Sequence, residues 1–268
     1  MSDYFDIHSH LSFPDYDADR EEIISEMQKQ KIATISVGVD FETSKKEVEL
    51  AEKNENVWAC VGVHPESAND ISYDISYEME KISELAKHQK VVAIGECGLD
   101  YFSLTPGVQK SAQKKLFEAQ IDLAVKVGKP LMLHIRPSDK INFDAYFDAL
   151  EILEKYHKMH GEKLRGNAHF FVGNTEVLKR FLAIGFTISF AGVVTFTHEY
   201  DEVVKYAPLE SIMSETDAPF VAPAPFRGKR NSPPYVPEIV KKIAEIRNED
   251  FELVRKTLVE NAGRSFRI

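Results

Sequence analysis

The sequence contains histidines and carboxylates of the types that hold catalytic metal ions. His8 and His10 stand two residues apart at the end of an apolar run, in Asp6-Ile7-His8-Ser9-His10. Residues at i and i+2 of an extended strand point to the same side, so one ion can take both imidazoles. Four further residues of ligand type stand at or near the ends of later apolar runs: Glu96, His134, His169 and Asp217.

This donor set predicts a catalytic centre. A lone histidine at a strand end is more often a hydrogen-bonded core or loop residue than a ligand. Six residues of ligand type in this order, however, are hard to obtain by chance. Mixed imidazole and carboxylate ligands favour divalent ions with open positions for water over an all-thiolate structural site. We predict two ions, Mg²⁺, Mn²⁺ or Zn²⁺, bridged by Glu96. The remaining ligands form two sets: His8, His10 and Asp217 for one ion, and His134 and His169 for the other.

Other polar residues near the run ends are candidates for substrate contacts or support. His64, in Gly62-Val63-His64-Pro65, either contacts substrate or a metal-bound anion, or caps the turn before the proline. Glu215 lies two residues before Asp217 and shares its strand face, so it either holds a ligand histidine or is a structural carboxylate of the barrel. Arg136 and Arg227 are candidates for clamping phosphate, and the alternative for each is a solvated surface charge. For the neighbouring Lys229 and Arg230, a solvated surface charge is at least as well supported as a role in phosphate binding.

Short apolar runs that alternate with amphipathic stretches indicate an α/β fold. Residues Leu116, Ala119, Leu123 and Val127 of Gln109–Val127, for example, fall on one helical face. Eight strand signals separated by helices predict a single (β/α)₈ TIM-type barrel over residues 1–268, with its metal site at the C-terminal face of the strands. The eight runs are Tyr4–Ile7, Ala33–Val39, Val57–Val63, Val91–Ile94, Leu131–Leu133, Asn167–Phe171, Phe186–Phe190 and Ser211–Met213.

The stretch Pro219–Pro237 contains six of the twelve prolines, which predicts a long loop after the eighth strand. Two terminal helices are predicted after it, Glu238–Arg247 and Phe251–Glu260. Asp19 and Thr43 are typical of helix starts.

Bulk properties constrain the partners and the compartment. The net charge of −10 is unfavourable for wrapping a nucleic-acid duplex, which needs a basic surface. It still permits a small anion or a strand end held by metal ions. The two cysteines cannot form a disulfide framework, no apolar run has the length of a membrane span, and Asp3 and Asp6 stand where a secretion signal would have basic residues. We expect a cytoplasmic monomer with no membrane partner.

Motifs along nearly the whole chain resemble the TatD family of metal-dependent deoxyribonucleases, a branch of the amidohydrolase-like barrels. The resemblance implies that the same six residues are the metal ligands. It also implies a hydrolase of phosphodiester bonds, commonly a 3′–5′ exonuclease on DNA. Val172 departs from the pattern, because a smaller residue, often serine, is expected before Gly173. The matching segments are Phe5-Asp6-Ile7-His8-Ser9-His10-Leu11, Gly62-Val63-His64-Pro65, Gly95-Glu96-Cys97-Gly98-Leu99-Asp100-Tyr101, Leu133-His134-Ile135-Arg136, His169-Phe170, Glu215-Thr216-Asp217-Ala218-Pro219, Arg227-Gly228-Lys229-Arg230-Asn231 and Asn261-Ala262-Gly263-Arg264-Ser265-Phe266.

We therefore predict a hydrolase in which a metal-activated water attacks a phosphodiester. Asp217 accepts the proton of the water, Glu96 bridges the ions, and His64 and Arg227 orient the phosphate. The expected substrate is a DNA strand end, single-stranded by preference, or a small phosphodiester. One alternative is an amidohydrolase acting on a small amide, ester or lactone, but the basic loop after strand eight argues against it. Another is a metal-bound binding protein without turnover, but the complete ligand set argues against that.

Overall fold

The structure, a computed structural model, describes residues 2–70, 72–102, 104, 109–139, 141 and 143–268. Its centre is one eight-stranded sheet in which the neighbouring strands are parallel and follow chain order. The predicted TIM-type barrel is thereby confirmed. The strands are β1 (Tyr4–Ser9), β2 (Ile32–Val37), β3 (Val57–Val61), β4 (Val91–Asp100), β5 (Leu131–Arg136), β6 (Gly166–Ala168), β7 (Thr187–Phe190) and β8 (Ile212–Ser214).

Helices cover the outside of the sheet, and the strands are buried on both faces as a result. Every residue of β2 is buried, for example, as expected for a parallel sheet filled inside and covered outside. Within the described residues the helices are α1 (Arg20–Lys29), α2 (Phe41–Lys53), α3 (Ile75–Leu85), α4 (Gln109–Val127), α5 (Asp144–His160), α6 (Thr175–Ala183), α7 (Asp201–Tyr206), α8 (Val236–Arg247) and α9 (Phe251–Phe266). None of the helices in this part of the chain has both the length and the apolar character needed to cross a bilayer.

The seam between β8 and β1 is bridged by backbone and side-chain hydrogen bonds. The Asp217 N–H donates to the His8 carbonyl oxygen at 2.9 Å, and the His10 N–H donates to the Ala218 carbonyl oxygen at 2.8 Å. The buried carboxylate of Asp6 accepts the backbone N–H of Thr216 at 2.9 Å and its hydroxyl at 2.6 Å. These bonds place the histidines at the end of β1 beside Asp217.

Several predicted boundaries are wrong: α9 ends at Phe266 and not at Glu260, and β4 extends to Asp100 and not only to Ile94. Two others differ for local reasons. Helix α8 begins at Val236, so Pro237 lies in its first turn and not in the loop. A proline is tolerated there because the N–H groups of the first turn have no partner within the helix. Helix α2 begins after Asp40, not at Thr43, because the Asp40 side chain accepts the Thr43 N–H at 2.7 Å in a capping box.

Candidate metal centre

The ends of the strands surround a cavity of about 780 Å³. Its size is within the range of ordinary small-molecule sites. His8 is fully buried and is not among the described residues that line the cavity. Most of the residues singled out in the sequence line the cavity: His10, His64, Glu96, His134, Arg136, His169 and Asp217.

Glu96 presents one carboxylate oxygen to each of two histidine pairs. Its Oε1 is 2.6 Å from His134 Nδ1 and 2.9 Å from His169 Nε2. Its Oε2 is 3.5 Å from His8 Nε2 and 3.6 Å from His10 Nε2. Each oxygen therefore faces its own pair of imidazole nitrogens, and Glu96 lies between the two histidine pairs.

Asp217 completes the group around the first pair. Its Oδ1 is 3.7 Å from His8 Nε2 and 3.6 Å from His10 Nε2. The Nδ1 atom of His10 lies 2.7 Å from the carbonyl oxygen of Val37, which can only accept a hydrogen bond. The ring therefore carries its proton on Nδ1 and turns the Nε2 lone pair towards the centre.

The chemistry of these donors fits divalent cations. Within the described residues, three groups have donor atoms within 4.8 Å of one another: His8, His10 and Asp217; His8, Glu96 and His169; and His64, Asp100 and His134. Burial lowers the pKa of His8 to about 4, which keeps this imidazole neutral at pH 7. Burial opposes ionisation of Glu96, but the neighbouring charge of His169 and the hydrogen bonds from His134 and His169 hold the pKa of its carboxyl well below the usual range. His8 and Glu96 are thus in the forms that bind metal, a neutral imidazole and an ionised carboxylate. Burial lowers the pKa of His134 and His169, but the facing carboxylates outweigh it and raise the pKa of both, so these two rings would release a proton when an ion binds.

Asp100 belongs to this centre, although the sequence reasoning gave it no role. Its Oδ2 lies 2.9 Å from His134 Nε2, on the far side of the ring from Glu96. Its Oδ1 accepts the Phe102 N–H at 3.0 Å, which fixes the carboxylate in place. The signal was present in the sequence, because Asp100 follows Glu96 by four residues and strand periodicity places both on one side of β4.

Glu215 lies behind His169 and is fully buried. Its Oε1 is 3.5 Å from His169 Nδ1 and accepts the Phe170 N–H at 2.5 Å. Its Oε2 accepts the Ser189 hydroxyl at 2.7 Å. The geometry combines the two alternatives drawn from the sequence, since one carboxylate faces a ligand histidine and also joins β7 to the loop after β6.

His64 likewise combines its two alternatives. Its Nδ1 accepts the Glu66 N–H at 3.3 Å, which caps the turn Pro65–Asn69. Its Nε2 points into the cavity, 3.9 Å from Glu96 Oε1. Burial, together with the nearby His134, lowers the pKa of His64 to about 3, so it faces the centre as a neutral ring.

The candidate phosphate-binding arginines differ in position. Arg136 lines the cavity, with its guanidinium 3.8 Å above the ring of Phe102. Arg227 is exposed and stacks at the same distance on Phe196. Within the described part of the chain it is not among the residues that line the cavity. Arg230 forms an ion pair with Asp19 at 2.5 Å and is a structural residue of the loop after β8.

Val172 lines the cavity and donates its N–H to the hydroxyl of Tyr146 at 3.1 Å. The departure from the expected small residue therefore adds an apolar side chain to the wall of the cavity.

Comparison with known proteins agrees with the geometry. The family model described as TatD-related DNase matches residues 5–267. The uncharacterised metal-dependent hydrolase YabD of Bacillus subtilis is 39% identical over 98% of this chain and 99% of its own length. The 3′–5′ ssDNA/RNA exonuclease TatD of Pectobacterium parmentieri is 32% identical, with 98% and 99% of the two chains covered. The crystal structure of YjjV, a TatD homologue of Escherichia coli, superimposes with a TM-score of 0.86 at 25% identity, covering 99% of this chain and 98% of that one. The chain therefore belongs to the TatD-related DNase family and is a metal-dependent hydrolase.

Proposed function

We propose that this protein is a phosphodiesterase that removes nucleotides from the 3′ ends of single-stranded DNA with two divalent ions. The observation that carries the proposal is the division of the two Glu96 oxygens between two histidine pairs. Paired ions a few ångströms apart are suited to an in-line displacement at phosphorus, where attacking and leaving oxygens both need stabilisation. The printed name of the Pectobacterium relative, an exonuclease on single-stranded DNA and RNA, supports this substrate class.

When bound, divalent ions would polarise a phosphoryl oxygen and acidify a water molecule. The residues of the chain would do the rest. Asp217, whose side chain is more exposed than that of Glu96, would accept the proton of the attacking water. His64 and Arg136 face the same cavity and would hold the non-bridging oxygens of the phosphate. Arg227 lies farther out and would meet the next phosphate along the strand.

Net charge favours a strand end over a duplex. A chain with a formal charge of −10 has no general attraction for the DNA backbone. Binding then depends on the ions and on a few arginines at the mouth of the cavity. We further propose one domain, a monomer and a cytoplasmic location. The location is supported by Cys60 and Cys97, both buried and without a disulfide partner.

The test combines metal content with turnover. Purified protein should contain two ions per chain, hydrolyse bis-p-nitrophenyl phosphate and shorten a 5′-labelled single strand. Glu96→Ala should lose both ions and nearly all turnover, because it removes the carboxylate that faces both histidine pairs. Glu84→Ala, on the exposed surface of α3, is the matched control. Wild-type turnover in Glu96→Ala would overturn the two-ion assignment, and turnover of amides without phosphodiesters would overturn the substrate class.

A further inference from the structure

Two phenylalanines form an aromatic corner beside the metal centre. The ring of Phe13 stacks on that of His10, with centroids 4.6 Å apart and planes at 20°. The ring of Phe220 stands almost perpendicular to Phe13, with centroids 6.3 Å apart and planes at 81°. Both rings line the cavity. This pair, called the aromatic corner below, is therefore in contact with a proposed metal ligand.

The position of Phe220 is fixed by its backbone. Its N–H donates to the Asp217 carbonyl oxygen at 2.9 Å, and its own carbonyl oxygen accepts the side-chain amide of Asn231 at 2.6 Å. Asn231 is fully buried and also donates to the Thr216 carbonyl oxygen at 2.7 Å. The loop after β8 thus holds Phe220 three residues from Asp217, yet 49% of its surface stays exposed.

An exposed aromatic ring on a rigid support has a face free for a ligand. Burying that ring in the core would have been favourable, so its exposure at a site suggests contact with another apolar surface. The corner offers one ring for parallel stacking and one for edge-to-face contact, which are the preferred arrangements of aromatic pairs. A planar aromatic group is the chemistry that fits it.

We propose that the aromatic corner is a nucleobase-binding subsite, which stacks a base next to the phosphodiester that is cleaved. The inference rests on the proposed function, because the corner touches His10 and the phosphate would lie at the metal centre. Stacking recognises the flat face of a base and not its hydrogen-bonding edge, so the subsite would accept any of the bases. It would discriminate between nucleotides and phosphodiesters that have no base.

The experiment compares three single strands of one sequence. One is intact, one has a base-free residue at its 3′ end, and one has a base-free residue at the penultimate position. Wild-type protein should cleave the intact strand with kcat/KM about tenfold above that of at least one base-free strand. In Phe220→Ala this preference should fall to about twofold or less, and Phe220→Trp should retain it. Phe220→Leu separates stacking from simple apolar contact and should lose most of it.

The controls separate a binding role from a structural one. Phe147→Ala removes another partly exposed phenylalanine, on the outer helix α5, and should keep the wild-type preference. Metal content and melting temperature should be unchanged in Phe220→Ala. If that variant slows all three strands equally, or keeps the full preference, the aromatic corner does not bind a base.

Failure of the proposed function would look different. If wild-type protein cleaves none of the three strands, the nuclease proposal is wrong. The subsite is then tested by the affinity of the protein for a nucleotide and for the same sugar phosphate without a base. Calorimetry with the metal-loaded protein should show about tenfold tighter binding of deoxyadenosine 5′-monophosphate than of 2-deoxyribose 5-phosphate. Equal affinities, or a difference that persists in Phe220→Ala, would overturn the subsite.

Discussion

Two carboxylates at the centre differ in how far they are enclosed. The Glu96 side chain is 5% exposed and lies between the histidine pairs, whereas that of Asp217 is 14% exposed and lies at the cavity wall. An attacking water can reach Asp217 from solvent, while Glu96 is surrounded by imidazoles. This difference in access is why the two carboxylates have different proposed roles, one as a bridge and one as a proton acceptor.

Replacing Asp217 by asparagine should therefore affect turnover more than binding. Loss of a general base typically costs about 10²- to 10⁴-fold in rate. We expect kcat to fall in that range with KM nearly unchanged, measured at saturating metal on a single-stranded substrate. Asp122→Asn, on the exposed face of α4, is the control. A rise in KM with constant kcat would instead show that Asp217 positions the substrate.

Asp100 should control which nitrogen of His134 is free for a metal. A carboxylate accepts hydrogen bonds only, so His134 donates from Nε2 to Asp100 and from Nδ1 to Glu96. An ion bound beside Glu96 would replace the proton on Nδ1, and Asp100 would keep the other proton on Nε2. An amide at this position can donate to Nε2 and so favour the wrong tautomer. We predict that Asp100→Asn weakens one of the two ions by about 10- to 100-fold and leaves the other nearly unaffected.

Metal titration by calorimetry measures this effect, since wild-type protein should show two sites and the variant one intact and one weakened site. Asp100→Glu, which retains a carboxylate, should recover part of the affinity. Equal weakening of both ions would mean that Asp100 supports the fold of β4 and not the orientation of His134.

At the level of elements, the candidate ligands could be predicted because their signals are local. Each stands at the end of an apolar run, and parallel strands in a barrel bring those ends together. Contacts between distant parts of the chain could not be predicted in this way. Arg230 meets Asp19 and Phe13 meets Phe220 only because the loop after β8 folds over the segment after β1. Nothing in the spacing of those residues encodes that contact.

Strand β4 depends on glycine at the point where it passes His134. Gly98 has a φ of +141°, and a Cβ built on it would overlap the carbonyl oxygen of His134. Gly98→Ala should therefore move β4 away from β5 and separate Glu96 from His134. We predict a loss of stability of about 1–3 kcal/mol from backbone strain, together with weaker metal binding.

Gly128→Ala is the matched control, because Gly128 also has a positive φ, of +70°, but among the described residues no heavy atom other than those of its chain neighbours lies within 4 Å of the added Cβ. It should lower the melting temperature by a few degrees and leave metal affinity unchanged. Wild-type metal affinity in Gly98→Ala would show that the approach of the two strands does not set the Glu96–His134 distance.

On the scale of the whole molecule, the proposed function requires an acidic protein to bind an acidic polymer. The net charge of −10 leaves the ions and a few arginines at the mouth to neutralise phosphates. Each neutralised phosphate of a single strand adds about 0.7 to the slope of log K against log salt. We expect a slope that corresponds to about two to three phosphates, measured by fluorescence anisotropy with Ca²⁺ or with Asp217→Asn to prevent cleavage.

The same arrangement predicts a requirement for a free end. The candidate ligands lie in a cavity that is also lined by the aromatic corner and Arg136. A terminal nucleotide enters such a cavity more easily than an internal nucleotide, because the strand continues from an internal nucleotide in both directions and both parts would have to fit. Linear single strands should release mononucleotides, and frayed duplex ends should react faster than blunt ends. Closed single-stranded circles should be cut at least about 100-fold more slowly than linear strands, which corresponds to a difference of roughly 3 kcal/mol in activation free energy. Circles linearised by one nick are the control, since they have the same sequence and charge. If closed circles are cut as fast as linear strands, the substrate must lie across the barrel mouth along a continuous groove, and a salt slope well above three phosphates should then accompany that result.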